Sequence, residues 1–140
     1  MAEYLSFAQN NLLLFVGLAA VIFFIIKTEI SVLTRKYHQV NNNEAVQLLN
    51  QDNVVVLDVR EDKELADGTI NGAKHIPLAK LDSRISELSN AKNKPVLVYC
   101  RSGNRSGVAC QRLTQEGFSD VHNLAGGIVG WQSANLPVSK

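Results

Sequence analysis

The sequence predicts an α/β domain with a central parallel sheet, preceded by one N-terminal transmembrane helix. Three observations predict it. Leu12 to Ile26 is apolar without interruption. Val54-Val55-Val56-Leu57 and Pro95-Val96-Leu97-Val98-Tyr99 are apolar runs of strand length, the pattern of parallel strands covered on both faces. Stretches of helical spacing alternate with such runs, and that order yields parallel pairing.

The first element is the run LLLFVGLAAVIFFII. A core helix in a soluble domain of this size shows a polar face, and this run has none. It rises about 22 Å, short of a hydrocarbon core of roughly 30 Å. Phe7, Ala8 and Ile30 make up the difference, with Lys27 snorkelling and Tyr4 and Phe7 at headgroup depth. A cleaved signal peptide needs basic residues before the run and a small-x-small site after it. Only Glu3 is charged before it, and Lys27-Thr28-Glu29-Ile30 follows. The expectation is an anchor over residues 1–30 with its span at about 8–27, a juxtamembrane linker over 31–36, and one domain over 37–140.

Fourteen Lys and Arg against 13 Asp and Glu give a net charge of +1. That balance indicates neither nucleic-acid binding nor strong attraction to anionic lipid. Two cysteines argue against a disulfide framework. His38, His75 and His122 are scattered, without ligand spacing, so no metal is expected.

Within the domain, Tyr37 to Val40 reads as a short strand. Asn41 to Asn43 supply an N-cap for a helix over Glu44 to Asn50, with Ala45, Leu48 and Leu49 inward. Val54 to Asp58 is a strand ending in a carboxylate. Glu61 to Ala66 is a short helix closed by Asp67-Gly68, and Ala73 to Ile76 a strand stopped by Pro77. Leu81 to Leu88 reads as a helix through Leu81, Ile85 and Leu88. Val96 to Tyr99 is the next strand. Ser106 to Glu116 is a helix with Val108, Ala109 and Leu113 inward, ended by Gly117. Val121 to Leu124 is the last strand, and a short helix surrounds Trp131, a packing anchor. Sites in open sheets of this kind lie beyond the carboxyl ends of the strands. Asp58 and Cys100 sit at such ends.

Cys100-Arg101-Ser102-Gly103-Asn104-Arg105-Ser106 carries the chemistry. A cysteine at a strand end, a glycine-bearing turn and a helix start together form a thiolate-stabilising anion site. Arg101 and Arg105 add two full charges. Such surroundings lower a thiol pKa and make it nucleophilic at neutral pH. Ser106 is expected as a donor in the first helical turn. Cys110, on the inward face of the same helix, is expected as an inert thiol.

Three blocks of residues resemble the rhodanese family. They are Leu57-Asp58-Val59-Arg60 with Glu64, Gly68, Ile70, Gly72-Ala73 and Ile76-Pro77; the Cys100 to Ser106 loop; and Leu124-Ala125-Gly126-Gly127-Ile128 with Trp131 and Leu136-Pro137. Together they span Tyr37 to Pro137. The layout of anchor plus single domain is similar to small membrane-tethered rhodanese-like proteins of Gram-negative bacteria. Leu65, Thr69 and Asn135 depart from the family pattern, and Asn135 replaces a glycine with the next-best residue for a left-handed backbone.

The resemblance implies a rhodanese-like three-layer fold and a sulfurtransferase of thiosulfate type. Cys100 would take sulfane sulfur from a small-molecule donor as a persulfide and pass it to a thiophilic acceptor. Arg101, Ser102, Gly103, Asn104, Arg105 and Ser106 would bind substrate, with Arg105 weighted over Arg101. Asp58 and Arg60 would support the pocket mouth, Arg60 more as an ion-pair partner of a carboxylate, and Glu64 has the same status. No cofactor beyond the covalent persulfide is implied. The spacing is Cys-x4-Arg, shorter than the Cys-x5-Arg of phosphatases on the same fold, which weighs against phosphatase or arsenate reductase activity. The alternative is a membrane-tethered interaction or sulfur-carrier module with little turnover. Partners are then the donor, the acceptor and the membrane, with a further membrane-protein partner unspecified and no nucleic acid. Lys27, Arg35 and Lys36 follow the span and no Lys or Arg precedes it, which puts the domain on the cytoplasmic side of a bacterial inner membrane.

Overall fold

The computed structural model describes residues 1–140 as two compact units, Met1–Arg35 and Lys36–Lys140. In the first unit, α1 (Ala2–Asn10) stops at Asn11 and α2 runs over Leu12–Leu33. The Asn11 amide donates to the Phe7 carbonyl at 2.8 Å and closes the end of α1. Helix α2 carries none of its residues buried. Its 22 residues rise about 33 Å, enough to cross a bilayer core. The linker expected at 31–36 is therefore helical as far as Leu33. Thr28 and Thr34 hydroxyls donate back to the carbonyls of Ile25 and Ile30 at 2.7 and 2.8 Å. That satisfaction of polar groups within the helix lets it run on through a polar stretch.

The second unit is a five-stranded sheet with β1 (His38–Val40), β2 (Val55–Asp58), β3 (Lys74–His75), β4 (Pro95–Tyr99) and β5 (Asp120–Leu124) in the order β1-β5-β4-β2-β3. Every pairing is parallel, with Leu57 opposite Val98 and Val98 opposite Asn123. The cysteine strand β4 is thus central and has a neighbour on each side. Residues of β4 alternate between two cores. Val96, Val98 and Cys100 join Leu81, Leu88, Ala109, Cys110 and Leu113 on one face. Leu97 and Tyr99 join Ala45, Leu48, Ile128 and Trp131 on the other. The helices α4 (Leu81–Arg84) and α5 (Asn104–Gln115) cover the first face, and α3 (Asn42–Leu49) and α6 (Gly127–Ser133) the second. Three layers result.

Helix α3 begins where the asparagines imply. Asn41 accepts from the Glu44 N–H at 3.0 Å, and the Glu44 carboxylate accepts from the Asn41 N–H at 2.7 Å, a reciprocal cap. Other elements differ from expectation. The helix expected over Leu81 to Leu88 is only α4, flanked by 3₁₀ turns at Leu78–Lys80 and Ile85–Ala91. Leu88 and Ala91 are both buried, and their spacing of three suits the tighter 3₁₀ repeat. The short helix after β2 is also 3₁₀, over Asp62–Asp67. Val108 was expected inward and is 44 % exposed. The buried stripe of α5 is Ser106, Ala109, Cys110 and Leu113, an i, i+3, i+4, i+7 set that leaves Val108 beside it. Asn135 adopts φ 56°, the left-handed conformation that asparagine tolerates best after glycine.

Candidate active site

Strand β4 delivers Cys100 to the carboxyl edge at the middle of the sheet, and α5 starts four residues later. The turn between them is tight. Gly103 has φ 102°, and a Cβ on it would press the Leu124 carbonyl at 3.3 Å, so the turn requires glycine. This conformation aims the Gly103 N–H at the Cys100 sulfur, 3.1 Å away. From the first turn of α5 the Ser106 hydroxyl donates to the same sulfur at 3.4 Å. Both Cys100 and Ser106 are buried. Burial pushes the Cys100 thiol up, but the Ser106 hydroxyl and the backbone N–H groups of Ser106, Gly103 and Ser102 outweigh it and hold the thiol below its ordinary value. Cys110 is the contrast: burial, with the charge of Cys100 added, pushes its thiol well up.

Two further elements brace the loop from behind. The N–H groups of Ile128 and Val129 donate to the carbonyls of Cys100 and Arg101 at 2.9 and 3.2 Å. Gly127, at φ 57°, lies so close that a Cβ would overlap the Arg101 carbonyl. Asn123 on β5 is 1 % exposed and donates to the Gly103 carbonyl at 3.1 Å and to Gln39 Oε1 at 3.0 Å. Sequence reasoning missed Asn123, because β5 reads Asp-Val-His-Asn-Leu and one more polar residue in it carries no signal of burial.

Asp58 and Arg60 form a buried ion pair, and of the two only Arg60 also lines the pocket described below. Arg60 Nε and Nη2 donate to the Asp58 carboxylate at 3.0 and 2.7 Å. Burial opposes the Arg60 charge, and the Asp58 hydrogen bond overcomes it and raises its pKa. Arg60 also donates to the carbonyls of Glu64 and Gly68 at 3.1 and 2.8 Å, pinning the middle and the C-terminal end of the 3₁₀ segment. That segment presents the Glu64 carboxylate to Arg105, whose Nη1 and Nη2 donate at 2.7 and 2.8 Å. The Arg105 hydrogen bonds, with smaller help from the Glu61 backbone, hold Glu64 down at about 2. The loop arginine expected to face substrate is therefore engaged by Glu64. Arg101 is the exposed one and has no ion-pair partner. Ser102 and Asn104 are exposed on the loop, Ser102 contributing through its backbone N–H.

A pocket of about 290 Å³ opens beside the loop, walled by Arg60, Glu64, Asp67, Arg101, Ile128 and Val129 among others. The Cys100 residue is hydrogen-bonded through its carbonyl to Ile128 in that wall, and its side chain is 1 % exposed.

A parallel α/β domain with a hydrogen-bonded, acidified cysteine at the end of its central strand is a scaffold for thiolate chemistry. A model described as the rhodanese-like domain matches residues 41–134. The chain belongs to that family. It is 40 % identical over 91 residues to a sulfurtransferase of Allochromatium vinosum, covering 65 % of this chain and 83 % of that protein. It is 38 % identical over 103 residues to the thiosulfate sulfurtransferase GlpE of Coxiella burnetii, covering 74 % of this chain and 94 % of GlpE. The protein YibN of Escherichia coli, uncharacterized, is 30 % identical over 139 residues, 99 % of this chain and 97 % of YibN. The crystal structure of a rhodanese-related protein from Thermoplasma volcanium superposes with a TM-score of 0.66 at 33 % identity, over 74 % of this chain and 98 % of that one.

Proposed function

We propose that this chain is a sulfurtransferase that carries sulfane sulfur as a persulfide on Cys100. The observation that supports it most is the pair of donors on the Cys100 sulfur, Gly103 N–H at 3.1 Å and Ser106 hydroxyl at 3.4 Å. They favour a thiolate in an otherwise buried loop. That thiolate attacks the outer sulfur of an anionic donor of the thiosulfate type. A new sulfur–sulfur bond forms, the donor's own breaks, and sulfite leaves with the electron pair. An acceptor thiolate, or cyanide, then attacks the outer sulfur and the Cys100 thiolate departs. The same backbone donors stabilise the charge in both halves. Arg101, unpaired and beside the cysteine, attracts the donor dianion. The persulfide is the carrier, and the chemistry calls for no metal or organic cofactor. The relative named sulfurtransferase supports the reaction type, and the one named thiosulfate sulfurtransferase supports this donor class.

Helix α2 is long and apolar enough to cross a membrane. We read it as a single-pass anchor in a bacterial inner membrane with the sulfur site on the cytoplasmic side, supported by Lys27, Arg35 and Lys36 after the apolar run.

The test is intact mass of the full chain in detergent micelles after incubation with thiosulfate. Wild type gains one sulfur atom, cyanide removes it, and Cys100→Ser gains nothing. An unchanged wild-type mass with a free thiol overturns the proposal in favour of an interaction module.

A further inference from the structure

We infer that the pocket beside the cysteine loop selects zwitterionic acceptor thiols: small amino-acid or peptide thiols bearing both a free ammonium and a carboxylate. The inference rests on the sulfur-transfer reading and names the acceptor class of that site.

Four charged side chains wall the pocket: Arg60, Glu64, Asp67 and Arg101. Two are consumed internally. Arg60 is paired with Asp58 at 2.7 Å, and Glu64 with Arg105 at 2.7 Å. The other two, Asp67 and Arg101, are exposed and have neither an ion-pair nor a side-chain hydrogen-bond partner. One unpaired charge of each sign therefore faces an incoming molecule.

These two charges sit on fixed backbone. Arg60 holds the carbonyls of Glu64 and Gly68 on either side of Asp67. The Gln132 amide of α6 donates to the Asp67 carbonyl at 2.9 Å. The Val129 N–H holds the Arg101 carbonyl at 3.2 Å. The backbone beneath both charges is thus already ordered, and binding has only the two side chains left to order. A thiol with only a carboxylate meets Arg101 but is opposed by Asp67, and a thiol with only an ammonium meets the reverse. A neutral thiol engages neither. Only a zwitterion satisfies both, and selection by repulsion of the others adds to selection by attraction. Val129, 45 % exposed, supplies apolar surface in the pocket wall for the methylene that carries the sulfur. The volume, about 290 Å³, stands at the lower end for small-molecule pockets and suits a molecule of one to three residues. The transfer step balances without a further reagent. The acceptor thiolate bonds to the outer sulfur, the Cys100 sulfur–sulfur bond breaks, and its electron pair returns to the Cys100 thiolate.

The experiment loads the full chain in micelles with thiosulfate and follows discharge by four thiols at equal thiolate concentration. They are L-cysteine, 3-mercaptopropionate (anion only), cysteamine (cation only) and 2-mercaptoethanol (neutral). Two exposed charge contacts of about threefold each predict L-cysteine faster than 2-mercaptoethanol by roughly tenfold. Asp67→Asn removes the advantage of L-cysteine over 3-mercaptopropionate, and Arg101→Gln its advantage over cysteamine. Each ratio is taken within one variant, so differences in loading or folding cancel. Equal rates for the four thiols, or ratios unchanged in both variants, overturn the inference. Failure of thiosulfate to load Cys100 overturns the sulfur-transfer reading instead. Binding of S-methyl-L-cysteine, followed by chemical-shift change, then tests the pocket alone. Saturable shifts weakened by each substitution support it, and no shift overturns it.

Discussion

Ser106 occupies a fully buried position and spends its hydroxyl on the Cys100 sulfur at 3.4 Å. A hydrogen bond to a charged group contributes about 1.5–3 kcal/mol, so Ser106→Ala raises the Cys100 pKa and lowers the thiolate fraction at neutral pH. Persulfide formation at pH 7 falls roughly tenfold, and the pH–rate profile moves to higher pH. The ultraviolet absorbance of the thiolate, followed through a pH titration, checks this. An unmoved titration would show that the hydroxyl leaves the thiol unchanged. Burial pushes the Cys110 thiol the other way, upward. At this scale the sequence located the hydrogen-bonded cysteine loop, because an apolar strand, a glycine turn and a helix start follow one another within a few residues. It did not reveal that Glu64 engages Arg105, since 41 residues separate them and only the tertiary fold brings them together.

The elements that matter most are the two that grip the loop, the 3₁₀ segment Asp62–Asp67 and helix α6. Gly127 is where α6 meets the loop, in a left-handed conformation with the Arg101 carbonyl against its Cα. Gly127→Ala combines a left-handed alanine with a backbone clash. It destabilises the Lys36–Lys140 unit by about 2–4 kcal/mol and lowers its thermal midpoint by roughly 10 °C or more. A midpoint within about 2 °C of wild type would refute the close approach. Strands and the long helices were legible in the sequence because each has its own hydrophobic period. The 3₁₀ turns were not, because segments of three to seven residues carry too short a pattern to tell a 3₁₀ turn from an α-helix. Helix α2 outran its apolar core for a related reason: its last turns are polar and satisfy themselves through Thr28 and Thr34.

At the scale of the whole chain, an apolar helix and a rhodanese-like domain occupy one polypeptide. Their orientation in a membrane has a direct readout. A C-terminal alkaline phosphatase fusion, active only outside the cytoplasm, stays silent if the domain is cytoplasmic, whereas a green fluorescent fusion is bright. The reverse pattern overturns the orientation. The central position of β4 explains how the domain builds its site. Segments leaving β2, β4 and β5 converge at one edge, so residues far apart in sequence brace the Cys100 loop.

Cys110 bears on how long sulfur is kept. A neighbouring thiolate would attack a persulfide and expel its outer sulfur as sulfide, closing a disulfide behind it. Cys110 is fully buried, and burial pushes its thiol up, which disfavours that internal leak. On the proposed chemistry, the lifetime of the charged form is set from outside, by the arrival of an acceptor, and the loaded domain behaves as a reservoir rather than a timer.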